Sequence, residues 1–271
     1  MLERRQRAQA TMQRRIAARS PMLFWLFARI FRRTLRHGVD AVRLANRPAA
    51  AVLEAPQLVI FCNHASWWDG ITLMYLADRL LVGRVAFAPI DQAMLERYGF
   101  MGRIGAFGVE QHSMNGARNF LEACRIILAD VRHVLVVTAQ GRFADCRERP
   151  LRLEPGIAHI LEVAPQASYL PLAIEYSYWL EKRPEVLLRF GRVIPAVELA
   201  GQRSSARLAV LERALTQTMD ALAQDAIARN DAAFEILLVG EGGINFFYDL
   251  WRRVLARLSG RPFRAQHGAP P

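Results

Sequence analysis

The sequence predicts an α/β protein in which a mixed sheet is flanked by helices. Short apolar runs rich in β-formers recur at Leu58–Cys62, Val134–Thr138, Tyr169–Glu175 and Val186–Phe190, and their length suits buried strands. Between and after them lie stretches with apolar residues at threes and fours, the spacing of helices that cover a sheet. With 271 residues, the chain is long enough to bury a full core.

Composition narrows the setting. Hydrophobic residues make up 52% and the formal net charge is +11, nearly all of it from arginine, because Lys182 is the only lysine. Such a balance predicts attraction to an anionic partner, either a membrane surface or nucleic acid. No recognised nucleic-acid module is present, and the arginines concentrate on helices with large apolar faces, which favours the membrane. Cys62, Cys124 and Cys146 are odd in number, lack metal-ligand spacing and read as reduced thiols. The apolar run near the N-terminus begins only at Met22, and no small-residue cleavage site closes it as in a signal peptide. No stretch reaches the ~20 apolar residues that span a bilayer, so the expectation is a protein that lies on a membrane or is soluble.

In chain order, residues 1–20 are arginine-rich and helix-permissive, and Pro21 interrupts them. On a helix over 22–36, Leu23, Phe24, Phe27, Ile30 and Phe31 gather on one side, while Trp25, Arg29, Arg32 and Arg36 fall on another. Such a helix suits the interface of an anionic bilayer, or packs its apolar side on the protein's own core. Strands are expected at Ala41–Leu44 and Leu58–Cys62, separated by an Ala/Pro-rich turn.

The stretch Phe61-Cys62-Asn63-His64-Ala65-Ser66-Trp67-Trp68-Asp69-Gly70 follows the second strand and precedes a helix that runs to about Leu81. His64 therefore sits at a strand-to-helix junction, where open α/β sheets place their chemistry. Asp69, near the helix start, can turn back to orient the imidazole and stabilise its protonated form, or it can serve only as a helix cap beside an unrelated histidine. A His–Asp pair without a side-chain nucleophile suits deprotonation of a substrate hydroxyl that attacks an activated carbonyl. Cys62, two residues before His64, is a conceivable nucleophile or a small core residue.

Next come a short strand at Val85–Ala88, a helical turn over Asp91–Arg97 with Asp91 as its cap, and a glycine-rich loop from Gly99 to Gly108 that enters a strand at Phe107–Val109. The loop lacks dinucleotide or phosphate-loop spacing. Met114–Asp130 reads as an amphipathic helix with Phe120, Leu121, Cys124, Ile127 and Leu128 inward. Strand Val134–Thr138 leads to Ala139-Gln140-Gly141-Arg142-Phe143, then Arg147, Arg149 and Arg152, then a helix opened by Pro155-Gly156. Strands Tyr169–Glu175 and Val186–Phe190 follow. Over 204–229, Leu208, Leu211, Leu215, Met219 and Leu222 form the packing face of a long helix. Residues from Leu237 to Gly243 read as a break. A second amphipathic run then puts Phe247, Leu250, Trp251, Val254, Leu255 and Leu258 on one face, with Arg252, Arg253 and Arg257 off it.

Asn63-His64-x4-Asp69 after an apolar strand resembles the first motif of the glycerolipid acyltransferase family, of the lysophosphatidate acyltransferase type. The family's second block is a strand ending in an arginine that helps to hold substrate phosphate. Here the place reads Val109-Glu110-Gln111-His112, so the arginine is missing, and Arg118 or Arg103 is the candidate substitute. Ala139 to Phe143 occupies the third block: Gly141 matches, while Gln140 replaces a glutamate, Arg142 a threonine and Phe143 an arginine. Tyr169–Glu175, with Pro171 inside it, resembles the fourth block, an apolar strand thought to line the acyl-binding surface. Gly191-Arg192-Val193-Ile194 is similar to a late strand of the family. The blocks keep the family's order over residues 58–194, about half of the chain.

The resemblance implies a glycerolipid acyltransferase-like fold with a catalytic domain over 41–200. Residues 1–40 would be basic amphipathic membrane-surface helices, residues 201–260 helices packing on core and membrane, and 261–271 a disordered tail. It further implies transfer of a fatty acyl group from acyl-CoA or acyl carrier protein to a lipid hydroxyl, on the cytoplasmic face of a membrane. No metal and no cofactor beyond that co-substrate is called for. His64 and Asp69 would be catalytic, with Asn63, Gln140, Gly141 and Arg142 contacting substrate. The missing arginine leaves a phosphate-free hydroxylated or glycosylated lipid open as acceptor beside a lysophospholipid. The alternative is a non-catalytic relative that only binds lipid, favoured by the altered second and third blocks and opposed by the intact His64 and Asp69.

Overall fold

The structure is a computed structural model that describes residues 2–241. The amphipathic run from Ile244 and the tail over 261–271 lie outside the described residues. Helices α1 (Leu2–Ala17) and α2 (Pro21–Gly38) precede β1 (Ala41–Ala45), the one-turn helix α3 (Ala50–Leu53) and β2 (Leu58–Cys62). Helix α4 (Trp68–Leu80) leads to β3 (Val85–Asp91), short helices α5 (Gln92–Arg97) and α6 (Phe100–Arg103), and β4 (Ala106–Val109). Helix α7 (Met114–Leu128), β5 (His133–Thr138), α8 (Gly156–Val163), β6 (Ser168–Ser177) and β7 (Glu185–Phe190) follow. The last described elements are β8 (Ile194–Pro195), α9 (Ala196–Leu199), α10 (Ser204–Ala228) and β9 (Glu235–Val239).

The strands form one mixed sheet of nine, in the order β4-β3-β5-β2-β6-β7-β1-β9, with β8 paired to β6. Strands β4, β3, β5, β2 and β6 are parallel. β7 is antiparallel to β6, β1 parallel to β7, and β9 antiparallel to β1. β2 lies in the middle and is buried along its whole length, which is why it reads as an unbroken apolar run rather than an alternating one. Its side chains still divide between two cores. Val59 and Phe61 face the layer of α1, α7, α8 and α10; Leu58, Ile60 and Cys62 face α2 and α4.

The helix periodicities locate these layers. Leu211, Leu215, Met219 and Leu222 of α10 are buried, each contributing about 1.5–3 kcal/mol by leaving water, and Leu208 is half-buried beside them. In α7, Phe120, Cys124, Ile127 and Leu128 are buried and Leu121 is half-buried. The Asp91 side chain caps α5 as expected, accepting from the Ala93 and Met94 amides.

Two expectations are corrected, at Leu237 and in the glycine-rich loop, and of the two readings left open for α2 the structure shows core packing. The apolar side of α2 is spent mainly on the protein itself. Ala28 and Leu35 are buried, and Phe24 and Phe31 pack on the α4-side core. Phe27 stacks on Phe100 with centroids 4.7 Å apart, while Ile30 is exposed. A Cβ on Gly38 would lie 2.3 Å from Trp68 Cη2, so the glycine lets α2 close on α4. In α1, Met12 and Ile16 are likewise buried, so both N-terminal helices contribute to the core. The stretch from Leu237 is not simply a break: Glu235–Val239 forms the edge strand β9, and the Leu237 carbonyl accepts from Tyr75 Oη at 2.7 Å. The glycine-rich loop contains α6, whose Arg103 carbonyl accepts from the Ser20 amide at the start of α2. Among the described residues, no helix is long and apolar enough to cross a membrane.

Candidate functional site

Two neighbouring parallel strands, β2 and β5, end side by side, with Cys62 opposite Thr138. From β2 the chain passes into α4 on one face; from β5 it passes into α8 on the other. Connections diverging from adjacent strand ends open a crevice there, and His64 stands at its edge.

The local sequence builds the site. Ser66 Oγ accepts from the Trp68 amide at 3.2 Å, and Asp69 Oδ2 accepts from the Ser66 amide at 3.0 Å. This reciprocal pair starts α4 in the manner of a capping box. The same Asp69 Oδ2 lies 2.8 Å from His64 Nδ1. The capping and orienting roles of Asp69 are therefore one arrangement rather than alternatives. With Nδ1–H donated to the carboxylate, Nε2 is the basic nitrogen. Asp69 is fully buried, while 22% of the His64 side chain is open to solvent, the exposure a base needs to meet a substrate.

The carboxylate has a further anchor that sequence reading missed. Tyr176, near the end of β6, donates its hydroxyl to Asp69 Oδ1 at 2.7 Å, and Thr72 Oγ1 lies 3.3 Å from the same hydroxyl. Burial, reinforced by the Asp69 charge, pushes the Tyr176 phenol well above its ordinary pKa, so it remains a donor. Strand parity was the available signal: Tyr176 lies two residues beyond Ile174, and both belong to the core on the α4 side.

Gln140 is 5% exposed and its Oε1 accepts from the His64 amide at 2.9 Å; the His64 carbonyl accepts from the Ala144 amide at 2.9 Å. Gly141 turns between them with φ of 65°, and a Cβ there would lie 2.7 Å from Glu154 Cγ. Its carbonyl accepts from Gln111 Nε2 at 2.8 Å. Phe143 lays its exposed ring beside the imidazole with centroids 4.3 Å apart.

Several expected substrate contacts are otherwise employed. Asn63, expected to contact substrate, is 1% exposed; its Nδ2 donates to the Ile174 carbonyl and its Oδ1 accepts from the Ile174 amide, both at 2.8 Å. Arg142 pairs with Glu148, Arg147 with Asp145 at 2.7 Å, and Arg149 with Asp220. Arg103 and Arg118 are exposed on α6 and α7, and no hydrogen bond ties either to the His64–Asp69 pair. Cys62 is fully buried, with its Sγ 3.6 Å from the Val137 carbonyl, and burial drives its thiol well above the usual pKa. It is a core residue. Among the described residues, no group of three or more His, Cys, Asp or Glu is placed to hold a metal ion.

The arrangement can take a proton from a hydroxyl at Nε2 and return one to a leaving group, with Asp69 holding the ring. Compared with models of known families and with curated protein sequences, the chain matches none.

Proposed function

We propose that the protein is an O-acyltransferase with a glycerolipid acyltransferase-like fold, moving a fatty acyl group from acyl-CoA or acyl carrier protein to a hydroxyl of a lipid acceptor. The observation that carries this reading is the partly open His64 imidazole held by buried Asp69 at diverging strand ends. Cys62, the conceivable nucleophile two residues before it, is buried in the core. His64 Nε2 removes the acceptor hydroxyl proton as the oxygen attacks the thioester carbonyl. The tetrahedral intermediate collapses with cleavage of the C–S bond, and the imidazolium protonates the departing thiolate. Asp69 keeps the ring in one tautomer and stabilises its cation. The place of action is the cytoplasmic face of a membrane, where a lysophospholipid or another hydroxylated or glycosylated lipid is available.

A lipid-binding relative without catalysis is the second reading, favoured by the ion pairs that occupy Arg142, Arg147 and Arg149. Thiol release from acyl-CoA and acyl carrier protein donors, with a panel of lipid acceptors, decides between them. Acceptor-dependent release that His64→Ala abolishes is the expected result. Release that survives the substitution removes His64 as the base, and lipid binding without release supports the second reading.

A further inference from the structure

Helix α2 spends its inner side on α4, yet a row of large apolar side chains on its outer side stays exposed. Met22, Leu26 and Ile30 follow one another at every fourth residue along that side, and all three are open to solvent. Trp25 flanks the row and is exposed as well, with the Arg29 guanidinium 4.4 Å from its ring centroid. Single exposed apolar residues are normal on a protein surface. A continuous helical stripe of them beside a tryptophan is a patch that calls for an occupant.

The chain itself leads to this row. His37 continues the same stripe in the last turn of α2, and its Nδ1 lies 3.0 Å from Glu241 Oε2. The Glu241 amide donates to the Arg36 carbonyl at 2.7 Å, and Arg183 donates to the Glu241 carbonyl. Glu241 is the last described residue, so the remaining chain departs from the C-terminal end of the row. Gly242 and Gly243 come next and permit a reversal of direction. In residues 244–258, Phe247, Leu250, Trp251, Val254, Leu255 and Leu258 recur at helical spacing, while Arg252, Arg253 and Arg257 fall off their side.

We propose that residues 244–258 pack as a helix antiparallel to α2 and cover its outer row. Both helices advance about 1.5 Å per residue. A start beside Arg36 therefore brings Leu250 opposite Ile30, Val254 opposite Leu26, Leu255 opposite Trp25 and Leu258 opposite Met22, so the two apolar rows coincide. Arg33, the charged member of the stripe between Ile30 and His37, meets Phe247, whose ring suits a guanidinium. A second copy of the chain or a lipid surface would also bury the row. The short link from Glu241 favours the protein's own segment, because it holds that segment at a local concentration on the order of millimolar. The packing is independent of the acyl-transfer reading.

Double-cysteine variants of the full chain test the register, in a Cys146→Ser background that leaves only the buried Cys62 and Cys124. A disulfide needs Cα atoms within about 7 Å of each other. On mild oxidation, Met22→Cys with Leu258→Cys, and Leu26→Cys with Val254→Cys, should each close a bond within one molecule, read by gel mobility and peptide mass. Met22→Cys with Phe247→Cys, displaced by about 16 Å in this register, should react about tenfold more slowly or not at all. An environment-sensitive fluorophore at Leu26→Cys, in lipid-free solution, should shift to the red when Leu250→Asp and Val254→Asp are added, while thermal unfolding verifies the fold. Equal rates in and out of register overturn the proposal, as does the absence of a bond in the matched pairs or of the red shift. Bonds between two molecules assign the row to a second copy and overturn it too. So does a fluorophore that enters an apolar environment only when phosphatidylglycerol vesicles are present, which assigns the row to lipid.

Discussion

Tyr176 Oη donates to Asp69 Oδ1 at 2.7 Å, joining the end of a sheet strand to the carboxylate that holds the candidate base. Asp69 is thus fixed from three directions: the Ser66 amide and His64 on one oxygen, Tyr176 on the other. Tyr176→Phe keeps the ring packing and removes only this donor. We expect kcat to fall about tenfold with KM little changed, since the lost restraint acts on the reacting base rather than on substrate. Asp69→Asn should cost about a thousandfold or more. A rise in KM at constant kcat for Tyr176→Phe would count against its part in positioning the pair.

Asn63 acts as a plug between β2 and β6. Asn63→Ala leaves the buried Ile174 amide and carbonyl without their side-chain partners, and about 2–4 kcal/mol of stability should be lost. Denaturant unfolding measures this directly. A variant as stable as wild type but with raised KM would return Asn63 to the substrate-contact role that its motif implied.

The sheet was legible because its central strands are buried on both sides, so Leu58–Cys62, Val134–Thr138 and Tyr169–Glu175 leave uninterrupted apolar signals. The edge strand Glu235–Val239 has only Leu238 buried, and a half-exposed strand resembles a loop. His64 and Asp69 were legible because one turn of chain brings them together. Tyr176 reaches the same site across 107 residues of sequence, through strand pairing that local pattern does not encode. On α2 the amphipathic pattern was visible, but periodicity alone does not say whether an apolar face meets lipid or another helix; packing against α4 decided that.

His133, at the start of β5, is the group through which mild acid should act on stability. Burial lowers its pKa from 6.5, against the opposing influence of Asp130, while Arg132 and Arg19 add to the lowering. Its Nδ1 lies 3.1 Å from the Ile127 carbonyl and its ring meets Phe87 edge-on at 4.9 Å. As pH falls through about 6.5, the unfolded chain binds a proton that the folded chain resists, so this group's contribution to stability falls until the lowered folded pKa is reached. Thermal midpoints measured between about pH 7.5 and about pH 5 should decline less steeply in His133→Gln than in wild type. Parallel declines would remove His133 from the account.

Phe143 beside His64 is the arrangement with the most direct consequence for the proposed acceptor. An arginine in that place could present a forked cation to a phosphate, whereas Phe143 presents an aromatic face 4.3 Å from the imidazole. The nearby Arg142 and Arg147 are engaged with Glu148 and Asp145, although surface pairs of this kind are worth only about 0–1 kcal/mol and yield to a stronger anion. The phenyl ring is 58% exposed, so replacing it should change stability by no more than about 0.5 kcal/mol. Phe143→Ala should lower kcat a few-fold by freeing the imidazole, equally for all acceptors. Phe143→Arg should instead raise kcat/KM for a lysophosphatidate relative to a glycosylated, phosphate-free lipid, by about tenfold for one charge-assisted contact. If the ratio between the two acceptors is the same in wild type and in Phe143→Arg, position 143 does not select the acceptor headgroup, and the aromatic ring serves only to hold His64.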